Sequence, residues 1–202
     1  MIKNVILDAG GILFDDSKDN IEKILGKDCD YIYKIAYGKE FKKCLLGKLS
    51  IQDYINSLQN EKDFNDIKYI LEKDNLKKSY PLIENNFEFI KKLKKDGYKL
   101  FLLTNITEDN YNYINRIINI NDMFDGEIYS YQEHLIKPSY EIYNLVLNRF
   151  SLNKEETLFF DDKEKNVIVA NELGIKSFIF TSIIDIKNKF IVTNYKYTLR
   201  CK

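Results

Sequence analysis

The sequence lacks the features that mark several classes of protein. Lys and Arg together number 31 and Asp and Glu also number 31, so the chain has none of the basic excess that nucleic-acid binders normally show. No window approaches the roughly 18 consecutive apolar residues of a membrane span. The N-terminus has neither the apolar stretch nor the small-residue cleavage site of a signal peptide. We therefore expect a cytoplasmic protein that binds neither nucleic acid nor a membrane.

Cysteine and proline are also scarce. The three cysteines, Cys29, Cys44 and Cys201, are scattered and lack metal-ligand spacing, which suits a reducing compartment. We interpret them as structural or incidental. The only two prolines, Pro81 and Pro138, each come just before a helical pattern, where a missing N–H costs least.

The chain does contain a repeated alternation of two hydrophobic patterns. Its 202 residues are 45% hydrophobic, which suits one domain or one domain with an insertion. Between the helical patterns, short apolar runs end in polar residues at 5–7, 100–103, 158–160 and 178–180. Such runs are typical of strands buried on both faces of a parallel sheet. The sequence therefore predicts a doubly wound α/β fold with a parallel sheet.

A long stretch after the first strand breaks this alternation. Within it no run predicts a buried strand, and short amphipathic helical segments lie around 21–25, 31–37 and 51–58. We interpret residues 16–80 as a helical insertion, and residues 1–15 and 81–202 as the core from which it projects. Residues 190–195 are a candidate edge strand near the end of the chain.

Polar residues stand where the predicted strands end. Asp8 follows the first run, Thr104 and Asn105 the second, and Asp161 and Asp162 the third. Because ligands of open α/β sheets bind outside the carboxyl ends of the strands, we expect these side chains to converge. Taken singly, each has an ordinary explanation, such as capping a turn or the next helix. The adjacent Asp161 and Asp162 are a more specific sign of a functional site, because neighbouring carboxylates repel one another unless a cation or a hydrogen-bond donor reduces the repulsion.

Lys137 joins this group from the start of the helix that Pro138 opens. An isolated lysine at such a position is usually solvated. Together, however, a carboxylate nucleophile, a hydroxyl and amide clamp for phosphate, a lysine and an acidic site for Mg²⁺ are the parts of a phosphoryl-transfer centre. The set therefore predicts a protein that binds Mg²⁺ and a small phosphorylated metabolite.

The order of these motifs resembles that of the haloacid dehalogenase-like hydrolase superfamily, in the subfamily with a helical cap inserted after the first motif. Its four motifs look like Asp-Ala-Gly-Gly-Ile-Leu-Phe-Asp at 8–15, Leu-Thr-Asn at 103–105, Lys-Pro at 137–138 and the segment 160–167. The stretch 128–143 is similar to bacterial sugar-phosphate phosphatases of the α-D-glucose-1-phosphate phosphatase type. The resemblance implies a Rossmann-like core and an Mg²⁺-dependent phosphatase, with a sugar phosphate as the expected substrate.

The resemblance also implies a role for each residue. Asp8 is expected to attack phosphorus and to become a transient aspartyl phosphate. The expected ligands of Mg²⁺ are the carboxylates of Asp8 and Asp162 and the backbone carbonyl of Gly10, with Asp161 as a further ligand or an acceptor behind them. The expected phosphate-binding residues are Thr104, Asn105 and Lys137, and Lys137 also neutralises charge in the transition state.

Gly10 departs from the pattern of most phosphatases in this superfamily, which carry there a second aspartate that protonates the leaving oxygen and then activates water. Losing a general acid–base removes on the order of 10²–10⁴ in rate. One consequence is a preference for phosphates whose leaving group needs little protonation, such as anomeric, acyl or aryl phosphates. Asp15 is the nearest carboxylate noted in the same loop, although a hinge or solvated role suits it better.

Two other readings of these residues remain open. A 2-haloacid dehalogenase also lacks the second aspartate, but such enzymes need no metal, so the retained Asp161 and Asp162 count against it. A non-catalytic protein that binds a phosphorylated ligand or a partner keeps every binding group. The single histidine, His134, lies three residues before Lys137. We interpret it as a loop histidine without a site role, and because relatives commonly carry glycine there, a different backbone conformation is expected.

Overall fold

A parallel sheet of five strands forms the centre of the protein in the computed structural model, which describes residues 1–184 and 186–190. The strands are β1 (Asn4–Leu7), β2 (Lys99–Thr104), β3 (Gly126–Tyr129), β4 (Thr157–Asp161) and β5 (Lys176–Ile179). Their order across the sheet is β3-β2-β1-β4-β5, and each neighbouring pair is parallel. This order places the end of β1 between the ends of β2 and β4, so the α/β fold with a parallel sheet is confirmed.

Helices surround the sheet and fill the stretch between β1 and β2. In the stretch after β1 they are α1 (Lys18–Leu25), α2 (Asp30–Ala36), α3 (Lys42–Leu45), α4 (Ile51–Ser57), α5 (Phe64–Leu71) and α6 (Leu76–Ser79). Those that follow are α7 (Glu84–Lys95), α8 (Glu108–Ile117), α9 (Ile120–Met123), α10 (Ser130–Glu133), α11 (Tyr140–Arg149) and α12 (Glu164–Glu172). Short 3₁₀ turns lie at Lys73–Asn75 and Lys154–Glu156. Among the helices of the described residues, none combines the length and the apolar character that a membrane span requires.

The sheet is covered on both faces because successive strand residues point to opposite sides. Ile6 and Phe159 are buried in one hydrophobic cluster together with residues of α11 and α12. Their chain neighbours Leu7 and Phe160 are buried in a second cluster with residues of α7, α8 and α9. The continuous apolar runs of these strands thus reflect burial on two sides, and the doubly wound arrangement follows.

Helices α1 to α5 pack around a hydrophobic cluster of their own. Its buried members include Ile21, Ile32, Tyr54, Ile67 and Ile70. Helix α1 is capped at its start by Ser17, whose side chain accepts a hydrogen bond from the Asn20 N–H, and at its end by Gly26, which has a left-handed φ of 65°. The helical character expected for this stretch is therefore observed, while the predicted division into a core and a cap domain stays a prediction.

Two strands differ from the sequence prediction. β3 was not predicted, because it opens with a glycine and a glutamate rather than an apolar run; a Cβ on Gly126 would lie 2.3 Å from the Phe150 ring, which packs there. β5 ends at Ile179, earlier than the apolar run, and the N–H of Phe180 donates instead to the carbonyl of Asp161. Residues 191–195 of the candidate edge strand, and Cys201, lie outside the described residues.

Candidate active site

The loop that follows β1 carries the predicted nucleophile. Asp8 is 7% exposed, and its Oδ1 accepts a hydrogen bond from the Ala9 N–H at 2.7 Å. Gly11 has a left-handed φ of 67°, and a Cβ at this position would lie 2.6 Å from Asp162 Cγ. Glycine satisfies both this conformation and this close approach. The loop thereby brings Asp8, at the end of β1, beside Asp162, at the end of β4.

Lys137 is the buried cation of the site. Its Nζ lies 3.0 Å from Asp8 Oδ2 and 2.6 Å from Asp161 Oδ2, and its side chain is fully buried. Burial alone would lower the pKa of Lys137, but the two carboxylates outweigh burial and raise it above its ordinary value. Lys137 therefore stays charged and links the ends of β1 and β4.

The two residues predicted to bind phosphate at the end of β2 are placed differently. Asn105 uses both ends of its amide on the Lys137 backbone: Oδ1 accepts from the N–H at 2.8 Å, and Nδ2 donates to the carbonyl at 3.0 Å. Asn105 also lines the cavity beside Asp8, whereas Thr104 is buried in β2 and is not among the lining residues. Asn105 thus positions Lys137, and phosphate binding by either residue stays a prediction.

Asp161 is held by three donors. Its Oδ1 accepts from the Lys163 backbone N–H at 2.9 Å and from Asn166 Nδ2 at 2.8 Å, and its Oδ2 accepts from Lys137. With both oxygens already engaged and the residue fully buried, Asp161 is arranged to orient Lys137. This geometry favours the second of its two expected roles, that of an acceptor behind the metal ligands.

The acidic cluster fits a hard cation. Asp8, Asp161 and Asp162 each offer an oxygen, and these oxygens lie within 4.8 Å of one another. Oδ1 of Asp162 is buried with no hydrogen-bond partner among the described residues, and burial raises the pKa of Asp8 to about 7 although Lys137 opposes the rise. A divalent cation would give the unpartnered oxygen of Asp162 a partner and would favour the ionised form of Asp8. The cluster is therefore suited to a cation that prefers oxygen ligands.

Asp16 was missed by the sequence reasoning, which considered its neighbour Asp15. The Asp16 carboxylate lies beside Gly10: a Cβ built on Gly10 would be 2.7 Å from Asp16 Oδ2. Burial raises the pKa of Asp16 to about 6, with Lys163 opposing the rise. Asp15 instead uses its Oδ1 to accept the Ser17 N–H and is not among the residues that line the cavity. The doubled aspartate was the available signal, but sequence does not show which one turns inward.

A cavity of about 370 Å³ opens between this cluster and helices α2, α3 and α5. Its polar side carries Asp8, Asp16, Asn105, Lys137 and Lys163. The opposite side is mainly aromatic and aliphatic, with Tyr33, Tyr37, Phe41, Leu45 and Leu71. A charged group therefore fits against the sheet edge while an uncharged group faces the helices.

His134 lies apart from the lining of this cavity, as expected for a loop histidine. Its Nδ1 is 2.8 Å from the carbonyl oxygen of Leu46, so it connects the end of α10 to the end of α3. The expected change of backbone conformation was wrong. His134 has a left-handed φ of 55°, the conformation that glycine adopts readily, and the bond to Leu46 helps to hold it there.

Two phosphatases are among the characterised proteins to which this chain is similar. A D-ribitol-5-phosphate phosphatase of Bacteroides thetaiotaomicron is 26% identical over 211 residues, covering 88% of this chain and 91% of that protein. A sesquiterpene phosphatase of Aspergillus oryzae is 34% identical over 86 residues, covering 43% of this chain. The match spans 44% of that fungal protein, less than half of its length.

Solved structures and family models agree on the fold. A HAD family enzyme of Bacteroides thetaiotaomicron, solved as a magnesium complex, superimposes with a TM-score of 0.73 at 21% identity, over 94% of this chain and 98% of that one. The model of a family described as haloacid dehalogenase-like hydrolase matches residues 5–180. This match includes every predicted site residue and all of the five strands except Asn4, the first residue of β1.

Proposed function

The chain belongs to the haloacid dehalogenase-like hydrolase family, and from that premise we propose that it hydrolyses a small phosphomonoester with Mg²⁺, through an aspartyl phosphate on Asp8. The observation that carries this proposal is the contact of Lys137 Nζ with Asp8 Oδ2, beside the orphaned Oδ1 of Asp162. A nucleophilic carboxylate, a fixed positive charge and an open metal ligand are what phosphoryl transfer requires.

Each residue has a definite task in this proposal. Asp8 attacks phosphorus, and Lys137, held by Asn105 and Asp161, stabilises the charge that develops on the phosphoryl oxygens. Asp8, Asp162 and the backbone carbonyl of Gly10 would hold Mg²⁺, which supplies further positive charge when bound. Water then attacks phosphorus and releases Asp8 as a free carboxylate.

Two substrate classes compete within this proposal. A sugar phosphate is the expectation from sequence, and the likeness to a ribitol-5-phosphate phosphatase supports it. The aromatic and aliphatic side of the cavity, which includes Tyr37, Phe41 and Leu71, favours an uncharged and largely apolar leaving group. The partial match to a sesquiterpene phosphatase points the same way. A phosphate ester with an aryl or isoprenoid alcohol is therefore the second candidate.

The test is phosphate release from p-nitrophenyl phosphate, a panel of sugar phosphates and an isoprenyl monophosphate, each with Mg²⁺ and with EDTA. We expect Mg²⁺-dependent turnover that Asp8→Asn reduces at least about a thousandfold. The ranking of kcat/KM across the panel decides between the two substrate classes.

Other outcomes would redirect the assignment. Halide release from chloroacetate without added metal would indicate a dehalogenase. Calorimetric binding of a phosphate ester without hydrolysis by the folded protein would indicate a non-catalytic binding protein. If Asp8→Asn left turnover unchanged, the assignment of Asp8 as the nucleophile would be wrong.

A further inference from the structure

A carboxylate already occupies the space that a side chain on Gly10 would need. A Cβ built there would lie 2.7 Å from Oδ2 of Asp16, 3.2 Å from its Cγ and 3.6 Å from its Oδ1. The first distance is close to the separation between Cβ and a carboxylate oxygen within a single aspartate. Oδ2 of Asp16 therefore lies close to where an aspartate at position 10 could place one of its carboxylate oxygens, while Cγ of Asp16 is farther from that Cβ than a bonded Cγ would be.

Asp16 also faces the reacting centre. It lines the same cavity as Asp8, Gly10 and Lys137. Because Asp8 and Gly10 are two residues apart in one loop, a carboxylate that borders Gly10 on the cavity side is within reach of a leaving group attached to phosphorus at Asp8.

Contacts on both sides hold Asp16 in this position. Its backbone carbonyl accepts a hydrogen bond from the Tyr33 hydroxyl of α2 at 3.0 Å. The preceding residue, Asp15, donates its N–H to the Pro81 carbonyl at 2.9 Å. The position of Asp16 is thus set by the core on one side and by the helices that close the cavity on the other.

From this placement we propose that Asp16 is the general acid–base of the reaction and replaces the carboxylate that Gly10 lacks. As the bond from Asp8 to phosphorus forms and the ester P–O bond breaks, the proton of the Asp16 carboxyl passes to the departing oxygen, which leaves as an alcohol. The Asp16 carboxylate then takes a proton from the water that attacks phosphorus, and Asp8 departs as a carboxylate. Atoms and charges balance, and Asp16 ends the cycle protonated.

This inference rests on the proposed function and changes one of its consequences. A site without an acid is limited to esters with good leaving groups. With Asp16 as the acid, ordinary alkyl monoesters are substrates as well.

The discriminating experiment compares leaving groups that differ in their need for a proton. In Asp16→Asn we expect kcat/KM for the best alkyl or sugar monophosphate of the panel to fall by about 10²–10⁴. With p-nitrophenyl phosphate, whose leaving group departs without protonation, the first turnover falls less than about tenfold. Because attack of water still needs a base, the variant releases a burst of about one p-nitrophenolate per active site and then slows.

Two further variants separate catalysis from structure. Asp15→Asn removes a carboxylate of the same loop that does not line the cavity, and it leaves both rates within about threefold of wild type. Asp16→Ala opens the space beside Gly10, and Gly10→Asp added to it places a carboxylate there again. We expect this double variant to recover at least about tenfold of the activity that Asp16→Ala loses on the alkyl ester, a non-additive result.

The contrary results are equally clear. Equal losses on both substrates without a burst, or unchanged alkyl ester turnover in Asp16→Asn, would overturn the role of Asp16 while Asp8→Asn still tests the proposed function. Wild-type turnover confined to p-nitrophenyl phosphate would overturn it too. If wild type and Asp8→Asn are both inactive on every phosphate, the proposed function fails and the inference with it.

Discussion

Lys137 shows at the scale of one residue how the site and the fold depend on the same charge. Two carboxylates, from Asp8 and Asp161, contact one fully buried ammonium. Removing one partner of such an arrangement leaves charge buried without compensation, which is costly, whereas removing both sides costs much less. Replacing Lys137 alone should therefore lower the free energy of unfolding strongly, because both carboxylates stay buried without their cation.

We predict that Lys137→Met abolishes turnover and lowers the free energy of unfolding by about 3–5 kcal/mol at pH 7. Urea unfolding measures the loss, and adding Asp161→Asn to the same variant should restore part of it. Lys163→Met is the matched control. Lys163 also pairs with a carboxylate, that of Asp162, but its own side chain is 46% exposed, so the pair should contribute less than about 1 kcal/mol to the free energy of unfolding. Equal losses in the two lysine variants would contradict the buried charge cluster.

Gly11 is constrained for two reasons that a second glycine separates. Gly11 and Gly26 have nearly the same left-handed φ, 67° and 65°, but a Cβ on Gly11 would lie 2.6 Å from Asp162 and one on Gly26 would meet nothing within 4 Å. We predict that alanine at either position costs about 1 kcal/mol through the backbone conformation. Gly11→Ala should in addition lower kcat and weaken Mg²⁺ binding, since it displaces Asp162, whereas Gly26→Ala keeps wild-type kinetics. Unchanged kinetics in Gly11→Ala would show that this close approach is unimportant.

At the scale of elements, one carboxylate joins a helix to two strands. Asp125 directly precedes β3, and its Oδ2 accepts from the Leu100 N–H of β2 at 2.8 Å and from Lys94 Nζ of α7 at 2.7 Å. Burial alone would raise the pKa of Asp125, but Lys94 and the Leu100 N–H outweigh burial and lower it. Since the folded pKa lies below the unfolded one, the stability that Asp125 contributes is present above the unfolded pKa and is lost as pH falls through the folded pKa.

We predict that Asp125→Asn lowers the free energy of unfolding by about 1 kcal/mol at pH 7, a value reduced for partial exposure of the pair. The difference from wild type should narrow as the pH is lowered below about 4. Urea unfolding across this range measures it. Lys94→Met is the control for the ion pair, and combining it with Asp125→Asn should add little; a difference that grows in acid would refute the assignment.

The elements were predictable where one sequence signal decided them. β1, β2 and β4 are buried on both faces, so each reads as an apolar run, and because parallel strands end at one edge, the meeting of Asp8, Asn105 and Asp161 followed. β3 has no such run, since its first residue makes room for the Phe150 ring. Its position depends on packing between distant residues, which a local pattern does not contain.

Most of the residues of the site could be predicted from the sequence, but the hydrogen bonds between them could not. Sequence placed Lys137 and Asn105 at one edge, but the two hydrogen bonds between them depend on the exact path of both loops. Asp16 could not be chosen over Asp15, because which of them faces Gly10 is decided by the turn through Gly11 and by anchors on α2 and at Pro81. Residues that directly follow predicted strands can be placed at one edge of the sheet from sequence alone. A carboxylate such as that of Asp16, which reaches the site only through the fold of the loop, cannot.

At the scale of the whole molecule, the cavity has two differently built walls. The sheet edge presents charged groups held by buried hydrogen bonds, and the wall of α2, α3 and α5 presents aromatic and aliphatic groups. Asp16 and Ser17 lie where the chain passes from one wall to the other, since Ser17 caps the start of α1. Under the proposed function, the chemistry would take place at the sheet edge and the helices would select the substrate, which is the division that lids provide in other enzymes.

Under the proposed function, the acidic edge would make the stability of the molecule depend on a cation. A ligand that binds only the folded state stabilises it by RT ln(1 + [L]/Kd), about 2.7 kcal/mol at a hundredfold excess over Kd. For a chain of this size that corresponds to a rise in Tm of about 5–10 °C. We predict such a rise on adding Mg²⁺ and its reversal by EDTA, measured by calorimetry without any substrate.

The variant that tests this prediction is Asp162→Asn, because Oδ1 of Asp162 is buried and has no hydrogen-bond partner within residues 1–184 and 186–190. The amide keeps the shape of the side chain but removes the charge that attracts the cation, so the shift in Tm should fall by more than half. NaCl at matched ionic strength is the control for screening, which acts on exposed pairs such as Lys163 with Asp162 and not on a specific site. A shift that NaCl reproduces, or that Asp162→Asn retains in full, would mean that the cation binds elsewhere. The orphaned oxygen would then need a partner other than a metal.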